Sequence, residues 1–430
     1  MGFVRHVLIF AFCALVCVQT APAQSFTSGS TGADGAYSPT QSGDFDPSTM
    51  PAKCTNSNNV YNVCNFTTIN IPANVTIKLR ASKLNNQAIT WLAQGAVTIA
   101  GTLDLSGASG GTLNTNQPAE MGASRILPEP GPGGYTGGLG ALGGVAPQPG
   151  AGPGGGPAGS GTISYGYANW GGSGAFIWPG FTGSSISTGT TYGSYLAVPL
   201  YGGSGGGGGW DTSGNQLVGG VGGSGGGALR IASTTQITVN GTINANGGNG
   251  GIATGGTAGG DGGPGAGGTI HLVAPTITGT GTLTANSGVY PNYSPATSNG
   301  LIRFGTNNSS GFTGTASGLV LTALYLPPAN STLPLPSLSI TSVNGVPVPP
   351  EASGSYLSPD VTIAATTAVN VVLSANNIPA GTIPTLRITA ETGTDTVISC
   401  SALGSGNPAA STCSATFPYA ISIAGVRATW

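Results

Sequence analysis

The chain has 430 residues, of which only 5% are charged, against roughly 25% in an ordinary globular protein. Its net charge of -2 leaves no basic surface to neutralise a run of phosphates, which argues against nucleic acid as a partner. Glycine (78 residues) and proline (31) reach low-complexity proportions, yet there is too little charge to hold a chain open by repulsion, and 39% of the residues are hydrophobic.

Residues 1–23 read as a secretory signal: Arg5 and His6, an apolar stretch from Val7 to Val18, then the small-residue site Ala21-Pro22-Ala23. The stretch is short for a bilayer, and no later segment is long and apolar enough, so no integral membrane segment is expected after cleavage. Val16 is a poor neighbour for lipoprotein processing at Cys17. Export leaves Cys54, Cys64, Cys400 and Cys413 as two local pairs. An oxidising compartment favours a disulfide in each, while zinc would want histidines and the mature chain has only His271. No metal or cofactor is implied. Residues 24–65 form a lead and a cap stapled by Cys54 and Cys64.

From 66 to about 326 the sequence repeats. Ala88-Ile89-Thr90-Trp91-Leu92, Ala228-Leu229-Arg230-Ile231-Ala232, Thr269-Ile270-His271-Leu272-Val273 and Leu301-Ile302-Arg303-Phe304-Gly305 each carry apolar residues at their second and fourth positions. The first three continue into Val97-Thr98-Ile99, Ile237-Thr238-Val239 and Ile277-Thr278-Gly279, then into a Gly-Thr-aliphatic step ending at Leu103, Ile243 and Leu283; the fourth is degenerate, running to Thr315-Ala316. Alternation of period two marks strands with one buried face. Equivalent strands return only after long excursions, so the copies are predicted to stack as rungs of a parallel β-helix, a solenoid in which each rung shares its core with its neighbours. Leu229, Ile270 and Ile302 are then expected in one interior column, and Ile237 and Ile277 in another.

The glycine runs at 219–226 and 247–268 lean toward a period of three. That period suits polyproline-II-like segments packed backbone to backbone, although ordering glycine costs much entropy. The long insertion, about 107–227, is rich in aromatics, among them Tyr165, Tyr167, Trp170, Trp178 and Trp210. A proline-punctuated linker at 327–337 precedes short alternating segments at Val361–Ile363, Val369–Leu373, Leu386–Ile388, Thr396–Ile398, Ile421–Ile423 and Val426–Ala428. Their spacing predicts a small Ig-like β-sandwich over 338–430, with Cys400 and Cys413 joining neighbouring strands. The fold class is therefore all-β: a parallel β-helix with long glycine-rich insertions, then the sandwich.

Asp34-Gly35-Ala36-Tyr37-Ser38-Pro39-Thr40, Ile69-Asn70-Ile71-Pro72-Ala73, Glu129-Pro130-Gly131-Pro132-Gly133-Gly134, the Gly-Gly-Ser-Gly-Gly run at 202–206 and Thr238-Val239-Asn240-Gly241-Thr242-Ile243 resemble a group of uncharacterised secreted, glycine-rich bacterial β-helix proteins. The resemblance spans most of 34–305 and implies export and a β-helical body, with no catalytic residues to carry over. The C-terminal part is similar to Ig-like modules of bacterial surface proteins.

Catalysis has few groups to draw on. Glycine-flanked Ser204 and Ser224 match a nucleophile-elbow spacing that any glycine run satisfies, without the strand and helix the elbow needs. Asp44 and Asp46 read as a solvated turn. Asp104 and Asp261 are separated by the insertion that holds Glu120, Glu129 and Asp211, so no carboxylate pair for polysaccharide cleavage stands out. Arg230, His271 and Arg303 share one outward position on three rungs. They form either a stripe for an anion or acidic polysaccharide, or three solvated side chains that keep strand edges from aggregating. Threonine columns (98, 238, 278; 102, 242, 282) are ordinary outward strand residues, although regular threonine ladders can also order water or bind ice. The insertion's rings either bind neutral sugar by stacking or form the insertion's own small core.

The function these features favour is a non-enzymatic structural or adhesive component of the cell surface or extracellular matrix, with the periplasm as another location. The alternatives are a carbohydrate-binding protein using the aromatic insertion and a β-helical polysaccharide lyase or hydrolase. Partners would be a neutral or acidic polysaccharide or another surface protein.

Overall fold

The computed structural model describes residues 26–54, 62–111, 127–141, 146–160, 169–180, 188–210, 219–253, 260–291, 298–306, 311–323, 337–349, 359–365, 367–376, 378–390, 396–417 and 424–430. The fold is all-β, with two short 3-10 turns and no α-helix among the described residues. The predicted signal and the linker up to residue 336 lie outside them.

Most strands of the first 323 residues belong to three parallel ladders. The first stacks the N-terminal half of Val63–Ile71 on Ile89–Ala93, Ala228–Ser233, Thr269–Val273, Leu301–Gly305 and Leu319–Ala323. The second stacks the C-terminal half of Val63–Ile71 on Val97–Ile99, Gln236–Val239 and Thr276–Thr278. The third runs through Gly43–Asp44, Thr76–Lys78, Thr102–Asp104, Thr242–Asn244, Thr282–Thr284 and Thr315–Ser317. Pairing begins ahead of Phe66, because Gly35–Tyr37 lies parallel to Val63–Ile71.

Register follows the repeat residue for residue. Ile89, Leu229, Ile270 and Ile302 are direct neighbours, as are Val97, Ile237 and Ile277 in the second ladder and Ile77, Leu103, Ile243 and Leu283 in the third. All are buried in one hydrophobic cluster that takes its members from the three ladders. A strand that slipped by one residue would turn this whole set to the opposite face, so burial itself fixes the register. Each such aliphatic side chain contributes about 1.5–3 kcal/mol. At the N-terminal end the cluster holds four rings, Tyr37, Phe45, Phe66 and Trp91, and burial pushes the Tyr37 phenol up to about 12. Beside them Cys54 and Cys64 form a disulfide. The buried Asp34 carboxylate fastens that loop by accepting from the amides of Ala52, Cys54 and Asn65.

In their described parts, 219–226, 247–253 and 260–268, the glycine runs are neither strand nor helix, and their backbone groups are hydrogen-bonded to one another. Residues 202–209 run through a lattice of six neighbouring segments. The amides of Gly203, Gly206 and Gly209 donate to the carbonyls of Gly226, Gly223 and Gly220; those of Gly205 and Gly208 donate to Ala151 and Gln148; Gly207 donates to Gly172. In return the carbonyls of Gly203, Gly206 and Gly209 accept from Tyr135, Gly138 and Ala141. Those of Gly205 and Gly208 accept from Gly156 and Gly159, and those of Ser204 and Gly207 from Ala266 and Gly263. These bonds measure 2.8 to 3.1 Å. Five of the six neighbours are met at every third residue, the period of a polyproline-II-like chain, which makes no hydrogen bonds within itself and can give them all outward.

Such a lattice is not self-supporting. Fixing a residue's backbone costs about 1–2 kcal/mol, at the top of that range for glycine, and a hydrogen bond returns about 0.5–1.5. The ladders supply the alignment. Segments 219–227 and 260–268 lead directly into first-ladder strands, and the third ladder continues outward through Leu105 to Asn244, Gly107 to Asn246, Gly247 to Asn286 and Gly110 to Asn249 amide-carbonyl pairs. Side chains repeat the same step: Asn246 Oδ1 accepts from the Asn286 amide and Asn249 Oδ1 from the Val289 amide, each 40 residues on.

Beyond residue 336 the chain forms two antiparallel sheets. One pairs Val346–Pro347, Ser337–Val343, Val369–Asn376 and Ala409–Ala415 in that order, and the other Thr396–Ser399, Thr385–Ala390 and Ala424–Thr429. Val371, Leu373, Leu386, Ile388 and the Cys400–Cys413 disulfide share one cluster drawn from both. The predicted strand at Val361–Ile363 is not one. Val361 and Ile363 pack on that cluster from an extended segment that enters no ladder, so the alternation gives core contact without pairing. The segment Ile421–Ile423 lies outside the described residues.

Candidate functional site

The outward side of the first ladder carries three columns of side chains. Ala88, Ala228, Thr269 and Leu301 line one edge, which the insertion covers with Phe176, Ala197 and Leu200, flanked by Tyr192 and Tyr201. Leu92, Ala232 and Val273 line the other edge and pack with Val63 and Phe26. Between these covered edges runs a polar column, Thr90, Arg230, His271 and Arg303, in direct register.

The reading of Arg230, His271 and Arg303 as solvated side chains is therefore wrong. His271 is only 4% exposed, and both arginines are half-buried. The reason is the insertion, which folds back over the ladder: Thr269 Oγ1 donates to the Tyr201 carbonyl at 2.7 Å, and Arg303 Nη1 donates to the Tyr195 carbonyl at 2.7 Å. Phe176 and Tyr192 meet edge-on beneath this roof, and the Tyr192 hydroxyl donates to the Gly202 carbonyl while accepting from Ser204 Oγ.

Electrostatics follow from burial. Loss of water holds the Arg230 guanidinium down at about 10 and lowers Arg303 as well. Burial first, then the Arg230 and Arg303 charges, holds His271 well below its usual range, so the imidazole is neutral at pH 7. Its Nδ1 is buried without a hydrogen-bond partner. A histidine that is neutral when folded takes up a proton only on unfolding, so the unfolded state binds more protons as pH falls through about 6.5. Stability is expected to decline by up to about 1.4 kcal/mol per pH unit below that point. Urea midpoints between pH 7.5 and 5.5 check this: the parent chain should lose stability across the window, and His271→Gln should be flat. An equal slope in the variant would show that His271 is not the group responsible.

The aromatic candidates divide. Trp178 is 50% exposed and Tyr195 is 55% exposed, on two segments tied by the Tyr192 amide to the Phe176 carbonyl. Trp170 is turned to packing, with its ring 5.3 Å from that of Tyr290. Trp210 is half-buried at the end of the lattice segment, its amide bonded to the Asn169 carbonyl. Tyr165 and Tyr167 lie outside the described residues. Tyr195 is one of the insertion's rings that the sequence does not single out, because only the return of its loop onto Arg303 distinguishes it.

Carboxylates do meet, in a place the spacing did not suggest. Asp44 and Glu129 both bind Arg80, at 2.8 and 2.9 Å, and Glu129 also accepts from the Ser82 hydroxyl and amide. Asp46 caps the turn Pro47–Thr49 by accepting from the Ser48 amide and hydroxyl, as an exposed turn aspartate does, and also pairs with Lys83 at 3.2 Å. The carboxylate oxygens are engaged by the guanidinium between them. Ser204 and Ser224 are buried in the glycine lattice, with Ser224 Oγ donating to the Pro128 carbonyl. Among the described residues no three His, Cys, Asp or Glu side chains gather as a metal site, and no helix is long and apolar enough to cross a membrane. The two disulfides suit an oxidising, extracytoplasmic environment. Compared with protein-family models, curated proteins and solved structures, the chain matches none.

Proposed function

We propose that the chain is an exported structural or adhesive component of the cell surface or extracellular matrix, with a parallel β-helix as its body and an Ig-like sandwich at its C-terminus. In this reading the three ladders are the faces of the helix, and the two antiparallel sheets over 337–430 are the halves of the sandwich. The observation that carries the proposal is the glycine lattice. It binds neighbouring turns mainly through backbone groups, helped by uncharged serine and asparagine side chains, which gives a stiff body whose strength does not depend on ion pairs or on salt. Protease shaving of intact cells producing an epitope-tagged chain tests it. The tag should be released from outside, and thiol alkylation should find all four of Cys54, Cys64, Cys400 and Cys413 blocked. A protected cytoplasmic pool with free thiols would overturn the proposal.

A carbohydrate-binding role has its own support in the half-exposed rings of Trp178 and Tyr195, since a sugar face stacks on an aromatic one without charge. Trp178→Ala is the discriminating variant, because substituting Trp170 would disturb its stacking on Tyr290 instead.

A further inference from the structure

We infer that the C-terminal end of the parallel stack is a docking surface for a second copy of this chain, the two stacks meeting end to end through their last strands. The inference goes beyond the surface reading and does not depend on it.

The last strand of the first ladder, Leu319–Ala323, is open on one side. It pairs with Leu301–Gly305, and among the described residues no strand pairs with its far side. The Leu319 amide donates into the stack, to the Gly300 carbonyl at 2.8 Å. The backbone groups of Val320 and Thr322, which alternate with those of Leu319 and Leu321, therefore point out of the end. The interior is open there as well. Ile89, Leu229, Ile270 and Ile302 are fully buried, yet Val320, next in the same column, is 40% exposed. In the other inward column Trp91, Ile231, Leu272 and Phe304 are buried, and Thr322 beyond them is exposed. In the third ladder Leu283 is buried and Ala316, the last of its column, is half-buried.

The chemistry of this end calls for a strand. A row of outward amides and carbonyls is matched by another such row, which is why open edges template pairing. Proteins keep edges apart with lysine, proline or an inward charge, and residues 311–323 contain neither a charged residue nor a proline. Nothing on this end therefore repels an identical one. The opposite end of the first ladder is shut. There the Val63 amide donates to the Cys54 carbonyl, the Asn65 amide to the Asp34 carboxylate, and Gly35–Tyr37 lies along the rest of the strand. Head-to-tail growth thus finds no open edge on that ladder, and like end on like end is the arrangement left. This is a two-fold contact in which Leu319–Ala323 runs antiparallel to its copy. It doubles the length of the stiff body and leaves the two N-terminal ends facing outward.

Sedimentation equilibrium of the full-length mature chain tests this across about 1–100 μM, where specific contacts of ordinary size associate. The chain should be a dimer. Val320→Lys, at a position already exposed, should keep the parent's circular dichroism and weaken the dimer by about tenfold or more, because it sets a charge on the edge. Thr322→Lys, on the same edge, is the second variant and should act in the same direction. Val397→Lys is the control: Val397 is 58% exposed on Thr396–Ser399, an outer strand of a C-terminal sheet, and its substitution should leave the dimer intact. A chain that stays monomeric throughout overturns the inference, and would mean that the end is covered from within its own chain or by water alone. A dimer that survives both edge lysines, or that Val397→Lys breaks, overturns it by placing the contact elsewhere. Species that keep growing with concentration overturn the two-fold arrangement. None of these results touches the surface reading, which the shaving experiment decides separately.

Discussion

Gly206→Ala is expected to destabilise the chain by more than about 4 kcal/mol, enough to prevent recovery of folded protein. A Cβ at Gly206 would lie under 3.0 Å from the carbonyl oxygen of Gly263, closer than real Cβ atoms come. The obstacle is backbone, so no rotamer change relieves it. Nor is that backbone free to move, because the Gly263 carbonyl accepts from Gly223 and the Gly263 amide donates to Gly207. Shifting it breaks bonds on two sides, and the disturbance passes along a lattice in which each segment is shared by several others. Collagen shows the same logic, where one larger residue at a crowded axis disrupts a backbone-packed assembly. Gly43→Ala and Gly404→Ala are the controls, since nothing lies within 4 Å of a Cβ at either position. Without strain, such changes shift stability by under about 1 kcal/mol and can be favourable. Soluble yield and thermal melting decide the matter. A Gly206→Ala chain melting within about 3 °C of the parent would mean that the lattice contributes little to the fold.

The parts of this architecture that were legible in the sequence are those written in side-chain alternation. Leu229, Ile270 and Ile302 recur at the same place in each copy, and burying one face of a strand leaves a single register in which they meet. The glycine runs disclosed their period of three but not their partners, because a segment without side chains has no face to read. Six neighbours around residues 202–209 follow from where the ladders deliver each segment, which is a property of the whole chain. Arg230, His271 and Arg303 were legible as a column and misjudged in environment. Their burial comes from Tyr195 and Tyr201 arriving from a distant part of the insertion, and nothing local to the strands announces it. In the C-terminal region Ala409–Ala415 escaped notice for a different reason. It alternates buried and exposed positions using Ala, Ser, Thr and Cys, so the pattern is present without the bulky apolar residues that normally reveal it.

Trp91→Ala is expected to cost about 3–5 kcal/mol, the usual range for removing a large buried aromatic. The ring is fully buried where the ladder meets its N-terminal end, with Phe45, Tyr37 and Phe66 centred 5.2, 5.5 and 5.8 Å away in tilted or edge-on arrangements. Trp91 also stands in register with Cys64, so the void would open beside the Cys54–Cys64 loop and the Asp34 carboxylate that fastens it. These neighbours are held by covalent and hydrogen bonds, so the site cannot collapse to fill the space, which places the loss toward the upper end of the range. Trp91→Phe separates the ring from its polar atom. The indole Nε1 is buried with no hydrogen-bond partner, so the phenyl ring leaves no acceptor stranded and keeps most of the aromatic contacts. Its cost should be about 1–2 kcal/mol, the transfer free energy of the lost ring atoms without a large cavity. Urea unfolding of the two variants, read at the same pH, gives the comparison. Equal losses for alanine and phenylalanine would mean that the indole N–H, rather than the packed ring, is what this end of the stack needs.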